Sequence, residues 1–437
     1  MTRGYTIFRP RKHGKFLQLY PSLANVALIL DGRPAFHRLA NQYLIQRMLA
    51  LWRPESGFAG FPTATTISNY ASWLANFLEW AESRHVDLTT CEYVRDVIGG
   101  YQREMLCGDW SASGEGLKPA TVNVRVQQAC DYLTWLADLG HRPKFQISSN
   151  IRTVAYGYDE RGMPKKQRVR SGKVRSLPPS LQMPSIGQTK VWLDEVLKKS
   201  GETLALVCET ILLSGLRREE VICLRANSIG ADPSEWMIVN PLAPESKQQV
   251  RVSVCFGAKG HTYGEDHGEK IGPEREILVP ISLARRWHRY KLNARLRALK
   301  AGLADVPKGE VRTRRLRNSV HLFLHPETGD RFTGKQVYDA WTKAKRPTPN
   351  WSPHQGRHWW ACSTLLAELK KHESMPSLSN ETAYALLEST ALSIIRLHIQ
   401  PQLGHRSDTT TMTYLRWVTG LISVPVQLDV DDDTDKE

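Results

Sequence analysis

A histidine and a tyrosine near the end of the sequence could take part in phosphoryl chemistry. In "QLGHRSDTTTMTYLRW" (402–417), His405 follows a Leu-Gly turn and Tyr414 comes nine residues later. A tyrosine there can simply pack into a core. It can also attack phosphorus, once a base removes the phenolic proton or nearby positive charge lowers its pKa. The spacing makes Tyr414 a candidate nucleophile and places His405 beside the group it would attack.

Two arginine motifs supply groups that bind a phosphodiester. "SGLRREE" places Arg217 after a glycine turn, with Glu220 three residues later on the same helical face. "SPHQGRHWWA" offers Ser352 as a helix cap and sets His354 and Arg357 on one side of the first turns. A guanidinium makes forked hydrogen bonds to phosphate oxygens and stabilises the charge of a pentacoordinate transition state. Each motif alone is also typical of an ordinary surface helix.

A lysine in "FGAKGHT" completes the set. Lys259 ends a strand-like run, and either it or His354 could protonate a leaving 5′ oxygen, although a lysine beside glycine is usually a solvated turn residue. The sequence contains no GxxxxGK[ST] loop, no HExxH motif and no obvious carboxylate cluster for magnesium, so it predicts no metal and no cofactor. Attack by tyrosine would conserve bond energy in a phosphotyrosyl ester, and the strand could be rejoined without ATP.

The elements that must position these residues divide the chain into five predicted parts. A mixed N-terminal extension that could serve as an arm covers 1–58, and a helical domain with apolar residues at helical spacing covers 59–140. A basic linker follows at 141–185. Residues 186–425 combine helices with short strand-like runs and form the predicted catalytic domain, and 426–437 are an acidic tail. The predicted fold class is mainly α with a small antiparallel β-sheet (α+β).

The predicted linker carries seven basic residues and no acidic one between 161 and 175. These candidate DNA-binding residues are Arg161, Lys165, Lys166, Arg168, Arg170, Lys173 and Arg175. A solvated loop is the ordinary interpretation of such a run. A chain that wraps around a duplex would also bring these side chains to the phosphates.

Charge and composition favour a nucleic-acid partner. The chain has 437 residues with a formal charge of +15 and a pI near 9.5, and 41% of its residues are apolar, enough for ordinary cores. Its seven cysteines show no CxxC spacing, so they indicate reduced thiols rather than disulfides or zinc ligands. The sequence shows no signal-peptide pattern and no membrane span. A cytoplasmic protein, associated with the nucleoid when bound to DNA, is therefore predicted.

Taken in order, the motifs resemble those of the tyrosine recombinases, also called phage integrases. The G-L-R-x-x-E box, the H-x-x-R-H box, and L-G-H followed by eight residues and tyrosine match the family pattern over about 59–420. The resemblance implies a site-specific DNA recombinase of the integrase or transposase type, encoded by a mobile genetic element. It would act through a 3′-phosphotyrosyl intermediate.

The resemblance also implies roles for individual residues and partners. Arg217, His354, Arg357 and His405 would bind and activate the phosphate, Lys259 would be the general acid, and Tyr414 the nucleophile. Glu220 would orient the site, with His358 as a second supporting residue. A helical core-binding domain would complete a C-shaped clamp on double-stranded DNA. A homotetramer would act on two DNA sites through a Holliday junction, with a second recombinase or an accessory protein as a further partner.

Two insertions depart from the family pattern, between Arg217 and His354 and between Arg357 and His405. The hairpin after Lys259 is extended, so Lys270 is a rival for the lysine role. Three other interpretations stay open: a type IB topoisomerase-like nicking enzyme, a catalytically silent DNA-binding accessory or regulatory protein, and an unrelated RNA-binding protein.

Overall fold

Two units make up the computed structural model of the chain: an N-terminal unit, Met1–Pro178, and a C-terminal unit, Pro179–Glu437. The structure describes residues 4–10, 19, 23, 26–32, 35–55, 62–158, 164–175, 181–262, 270–371, 388–405 and 412–418. Within the strands, the side chains at 152, 154–158, 164–167, 258–262, 270 and 271 lie outside that description. The predicted acidic tail, 426–437, lies outside the described residues.

Helices dominate the N-terminal unit because its apolar residues recur at helical spacing. Its elements are β1 (Thr6–Phe8), β2 (Leu28–Leu30), α1 (Arg38–Met48), α2 (Ala64–Ser83), a π-helical stretch (Tyr93–Gln102) that continues as α3 (Arg103–Cys107), α4 (Pro119–Asp138), β3 (Ser149–Tyr158) and β4 (Pro164–Arg170). Helices α2 to α4 lie in the range where the sequence predicted a helical domain, and they share one core around Phe77, Trp80 and Trp135.

The described part of 1–58 packs into this unit instead of forming a separate extension. β1 pairs antiparallel with β2, and the Asn41 side chain both accepts from Ile29 N at 2.6 Å and donates to Ile29 O at 2.8 Å. Tyr43 is fully buried and accepts a hydrogen bond from Gln128 Nε2 at 2.8 Å. The apolar side chains of this segment therefore have a core to enter, which the prediction of an arm did not include.

An antiparallel hairpin occupies much of the predicted linker. β3 and β4 pair with Ser149 opposite Arg170, and β3 is rich in β-branched residues such as Ile151 and Thr153, which favour a strand. Arg168 is exposed, and its Nε donates to Ser149 Oγ at 2.5 Å. The hairpin belongs to the N-terminal unit, so this unit extends beyond the predicted end of the helical domain at 140.

Arg170, one of the predicted DNA-binding residues, has a buried side chain. It is 9% exposed, and its guanidinium donates to Tyr93 Oη, Gln102 Oε1 and Asn123 Oδ1 at 3.0–3.4 Å. These partners lie far away in sequence, and they enclose the charge inside the N-terminal unit. Arg170 therefore holds the hairpin to the helices, and its hydrogen-bonding groups are already engaged there.

Unit two, the C-terminal unit, combines one long hairpin with helices. Its elements are α5 (Ile186–Ser214), α6 (Arg218–Ile222), β5 (Gln249–Thr262), β6 (Lys270–Pro280), α7 (Ile281–Leu292), α8 (Ala294–Gly302), α9 (Glu310–Asn318), α10 (Gly334–Lys343), α11 (Pro353–Lys370), α12 (388–403, π-helical over Ile395–Ile399) and α13 (412–418), with short 3₁₀ turns at Pro233–Glu235 and Glu245–Lys247. The predicted fold class, mainly α with small antiparallel sheets, is confirmed. No helix of the described part is long and apolar enough to cross a bilayer.

Helix α5 runs through the core of the C-terminal unit. Ser185 caps it: Ser185 Oγ accepts from Gln188 N at 3.2 Å, and Gln188 Oε1 accepts from Ser185 N at 2.8 Å. Trp192 of this helix lies with its ring centroid 4.3 Å from that of Trp341 in α10 and donates to the Trp341 carbonyl at 3.3 Å. The helix is interrupted at Gly201, which has a φ of +83°, so this packing fixes the part before Gly201, and the part after it ends directly before the "GLRREE" motif.

The β5–β6 hairpin passes close to α6. Val254 lies opposite Arg275, and the register shifts on both sides of Phe256. Gly257 follows with a φ of +73°, and a Cβ there would overlap the Glu219 carbonyl oxygen, so the hairpin approaches α6 through the bare α-carbon. The strand is thereby anchored against α6 immediately before Lys259.

A buried glutamine ties α12 to the same strands. Gln402 is 6% exposed; its Nε2 donates to the carbonyls of Ser214 and Leu278, both at 2.9 Å, and its Oε1 accepts from Leu278 N at 2.8 Å. This one side chain therefore joins the end of α5 and strand β6 to the residue that precedes the Leu-Gly-His turn.

Replacing Gly215 with alanine should destabilise the C-terminal unit. Gly215 has a φ of +67°, and a Cβ would lie 2.7 Å from Trp360 Cε3 and 3.0 Å from Leu403 Cδ2. We expect the free energy of unfolding to fall by about 2–4 kcal/mol, combining left-handed strain and overpacking. Gly140→Ala is the control, because Gly140 has a φ of +76° with open space around its Cβ and should lose only about 1–2 kcal/mol. Denaturant titrations would measure both; equal losses would contradict the packing role of Gly215.

Candidate active site

Arg217 and Glu220 are brought together by the turn between α5 and α6. Gly215 ends α5 in the left-handed conformation, as the sequence predicted for the glycine turn, and Arg217 is the residue before the first turn of α6. Glu220 Oε2 accepts from Arg217 N at 2.8 Å, and Glu220 Oε1 accepts from Arg217 Nη1 at 2.8 Å. The Arg217 side chain keeps 26% of its surface exposed, so part of its guanidinium remains accessible.

A third arginine, missed by the sequence analysis, contacts the same carboxylate. Arg275 of β6 donates from Nη1 to Glu220 Oε1 and from Nη2 to Glu220 Oε2, each at 2.9 Å. Burial alone would raise the pKa of the fully buried Glu220. The hydrogen bond and charge of Arg275, together with the charge of Arg217, outweigh that effect, so the pKa of Glu220 lies below its ordinary value. A signal existed: Arg275 has the strand parity of the buried Ile277 and Val279.

Arg357 lies deepest among the predicted phosphate ligands. Ser352 caps α11 as predicted, with its Oγ accepting from Gln355 N at 3.4 Å, and Arg357 is only 2% exposed. Its Nη1 donates to the Gly215 carbonyl at 2.6 Å and lies 3.8 Å from Glu220 Oε2, while its Nη2 donates to the Leu403 carbonyl. Burial and the charge of Arg217 lower the pKa of Arg357 to about 9, so it is cationic at neutral pH.

Tyr414 contacts helix α11 at His358. Its side chain is fully buried in α13, and its hydroxyl lies 2.9 Å from His358 Nδ1. Burial raises the pKa of Tyr414 strongly, and the positive charges of Arg357 and Arg217 partly offset that rise. Both guanidinium groups therefore act electrostatically on this hydroxyl.

His354 lies on the helix side predicted for the phosphate, and its ring meets the ring of His358 edge to face. His354 is exposed, and its ring centroid is 4.5 Å from that of His358, one helical turn later. Burial, His354 and Arg357 lower the pKa of His358 to about 4. His358 is consequently neutral at physiological pH, and its Nδ1 can accept the phenolic proton when the tautomer carries hydrogen on Nε2.

His405 completes the group from the end of the Leu-Gly-His turn. Its ring is parallel to that of Tyr414 with centroids 6.4 Å apart, and among the described residues its buried Nδ1 has no hydrogen-bond partner. Burial and the charges of Arg357 and Arg217 lower its pKa to about 3. The imidazole is therefore neutral and can donate one hydrogen bond to an anion from a protonated ring nitrogen.

The two candidate lysines belong to the hairpin. Lys259 lies in β5, two residues after the glycine that touches α6, and Lys270 is the first residue of β6, opposite Thr262. Both side chains lie outside the described part, so the choice between them stays a prediction.

The remaining predicted DNA-binding residues fall into two groups. Arg168, Lys173 and Arg175 are exposed in and just after the β3–β4 hairpin. Lys165 and Lys166 are placed only by their backbone in β4, and Arg161 lies outside the described residues. DNA contact by these six stays a prediction. Within the described ranges, no group of three or more histidine, cysteine, aspartate or glutamate side chains is arranged to hold a metal ion.

No family model matches this chain, and none of the curated proteins matches it. Solved structures similar to it include the Tn1549 transposon integrase (aa 82–397) in complex with circular intermediate DNA, the XerH site-specific recombinase bound to difH substrate, and a lambda integrase (75–356) dimer bound to a COC' core site. In that order, the sequence identities are 12%, 16% and 12%. The alignments cover 89%, 83% and 92% of this chain and 98%, 80% and 98% of the other chains. The TM-scores are 0.47, 0.41 and 0.41. Because each is below 0.5, the chemistry of this chain is inferred from its own side chains.

The arrangement can bind an anion and deliver a phenol to it. Arg217 and Arg357 offer guanidinium charge, His405 offers a neutral hydrogen-bond donor, and Tyr414 holds its hydroxyl against a neutral imidazole. These groups come from four separate stretches of the chain and meet within the C-terminal unit.

Replacing His358 with glutamine should flatten the pH dependence of stability. An unfolded histidine titrates near pH 6.5, whereas folded His358 has a pKa of about 4. Between these values only the unfolded chain binds the proton, so the free energy of unfolding falls as the pH is lowered through this window. We expect His358→Gln to reduce that slope by up to about 1.4 kcal/mol per pH unit, measured by denaturant unfolding from pH 4 to 7. Glutamine can still accept from the Tyr414 hydroxyl.

The matched control is His398→Gln, because His398 is an exposed histidine of the same unit. An unchanged slope in His358→Gln would show that His358 is not held neutral by its surroundings.

Proposed function

We propose that this protein is a DNA strand-exchange enzyme of the tyrosine recombinase type, with Tyr414 as its nucleophile. The supporting observation is the convergence in one unit of the buried Tyr414 hydroxyl, its neutral acceptor His358 and the guanidinium groups of Arg217 and Arg357. The order of the motifs along the sequence supports the same proposal.

The first step is attack on a backbone phosphate. Tyr414 Oη forms a bond to phosphorus as its proton passes to His358 Nδ1, and the bond from phosphorus to the 5′ bridging oxygen breaks as Lys259 gives that oxygen a proton. Arg217, Arg357 and His405 stabilise the negative charge that grows on the non-bridging oxygens, and a lost donor of this kind costs about 10²–10³ in rate. The DNA 3′ end is then held as a phosphotyrosyl ester, while a free 5′ hydroxyl remains.

The second step reverses the first with another strand. A 5′ hydroxyl attacks the ester and gives its proton to the neutral Lys259, the phenol leaves, and His358 returns its proton to Tyr414. Because the ester keeps the energy of the original bond, this rejoining needs no nucleotide. Guanidinium groups supply the charge stabilisation, so the proposed steps run without a metal ion.

Double-stranded DNA is the proposed substrate, and its binding is favoured by the formal charge of +15. Exchange between two duplexes needs four cleavages, one per strand, so a homotetramer on two sites is the proposed working assembly. A non-cutting DNA-binding protein would have no need of the buried phenol–imidazole pair. Relaxation of supercoiled plasmid without strand exchange between duplexes would identify a topoisomerase-like enzyme with the same nucleophile.

Tyr414→Phe should abolish the covalent adduct while leaving DNA binding nearly unchanged. The substrate would be a labelled, nicked duplex that the protein itself selects from a randomised pool, with adduct measured by denaturing gel electrophoresis. Tyr290→Phe is the matched control, because Tyr290 is 3% exposed and its hydroxyl donates to the Leu324 carbonyl at 3.3 Å in the same unit. The control should retain adduct formation. Adduct that persists in Tyr414→Phe would overturn the assignment of the nucleophile.

Lys259→Ala should slow cleavage of ordinary DNA by about 10²–10⁴, the range that a general acid contributes. The same variant should cleave at close to the wild-type rate when sulfur replaces the 5′ bridging oxygen, because a thiolate leaves without a proton. Lys270→Ala, on the paired strand β6, is the matched control. Replacing the bridging oxygen with sulfur should not change its cleavage rate relative to the wild type. Rescue of Lys270→Ala alone would transfer the role to Lys270, and rescue of neither variant would leave His354 as the acid.

A further inference from the structure

We propose that Arg275 is a positioning residue for this reaction, which neutralises the buried Glu220 carboxylate so that Arg217 and Arg357 keep their charge for the phosphate. This inference rests on the proposed function. It concerns a strand residue that lies outside all the motifs on which the resemblance depends.

The geometry of the pair is that of a fork on a carboxylate. Both terminal nitrogens of Arg275 donate to Glu220, one to each oxygen and each at 2.9 Å. The Arg275 side chain is 14% exposed and Glu220 is fully buried, so water screens this contact little. Arg275 therefore satisfies both oxygens of the carboxylate and takes up most of its charge.

The other two arginines are bound less fully to Glu220. Arg217 contributes one side-chain nitrogen to the carboxylate, and Arg357 approaches only to 3.8 Å and directs its hydrogen bonds to the neutral carbonyls of Gly215 and Leu403. Three guanidinium groups and one carboxylate leave a net charge of two positive units. Without Arg275, the carboxylate would cancel one of the two charges that the phosphate needs.

Arg275 also contacts the turn that carries His405. Its Nε donates to the Gln402 carbonyl at 3.2 Å. Gly404, with a φ of +60°, lies so close that a Cβ there would be 3.0 Å from Arg275 Cδ. The glycine of the Leu-Gly-His turn thus makes room for this arginine, and one side chain joins Glu220 to the turn that precedes His405.

The test separates the rate of adduct formation from the affinity for DNA, using the duplex that the protein selects from a randomised pool. Arg275→Gln should lower the single-turnover adduct rate by about 10²-fold, the scale of one lost charge-stabilising group. The dissociation constant for DNA should rise by no more than about tenfold, the loss expected at the one phosphate in this site, because the other DNA contacts do not involve Arg275. The double variant Arg275→Gln with Glu220→Gln removes both charges and should be about tenfold faster than Arg275→Gln alone, since the two residues are coupled.

Two further variants make the outcome specific. Arg251→Gln is a matched control in the same hairpin, because Arg251 forms an exposed ion pair with Glu276 at 3.2 Å; its adduct rate should be unchanged. Arg275→Lys keeps the charge without the fork and should retain more activity than Arg275→Gln. A double variant no faster than Arg275→Gln, or a lysine variant as slow as the glutamine variant, would overturn the charge role.

A second measurement does not depend on cleavage. Inorganic phosphate, titrated calorimetrically into the DNA-free protein, should bind about tenfold more weakly to Arg275→Gln than to the wild type, with recovery in the double variant. Unchanged phosphate binding would overturn the inference. If the wild type forms no adduct, the proposed function fails, and the phosphate titration still decides whether Arg275 preserves the charge of the other two arginines.

Discussion

A carboxylate with no access to water, enclosed by three guanidinium groups, is the interaction on which the rest of the site depends. A buried charge without partners would cost several kcal/mol, so Glu220 can occupy its place only when Arg217 and Arg275 reach it. Arg357 closes the group from α11 at 3.8 Å. The ion cluster therefore requires α6, β6 and α11 to fold together, and it forms only in the assembled unit.

The backbone takes part in the same construction. The turn after α5 exposes two carbonyls at its end, and each is used: Ser214 accepts from Gln402, and Gly215 accepts from Arg357. Leu403 accepts from Arg357 as well, so the turns before Arg217 and before His405 are joined through one guanidinium. Both turns end in glycines with positive φ, and these residues are needed for conformation and for close approach.

Short sequence patterns correctly predicted the turn and the helix start that depend only on neighbouring residues. Helical periodicity and a glycine located the α5–turn–α6 unit, and Ser-Pro located the start of α11. Arg275 was missed because an arginine in "EREILVPIS" looks like a solvated strand residue unless its parity with Ile277 is noticed. The burial of Arg170 could not be predicted, because its partners on three other segments become neighbours only through tertiary packing.

The N-terminal segment shows the same limit. The short strand around Ile29 gave no indication that this residue would enter the core formed by α2 and α4, and the helical spacing around Tyr43 did not show which core its side chain would join. What decided their position was the space left between helices, a property that no window of sequence contains. The side chains proposed to carry chemistry were easier to find, because their types are rare in combination.

The enclosure of Tyr414 has a consequence for the fate of an ester formed at its oxygen. The Tyr414 side chain belongs to an apolar cluster with Leu365, Ile399 and Leu403 and has no exposed surface. An ester held in that place would be shielded from bulk water, so hydrolysis would be slow compared with capture by a DNA hydroxyl positioned at the arginines. The same burial that makes the phenol hard to ionise would thus keep the protein from behaving as a nuclease.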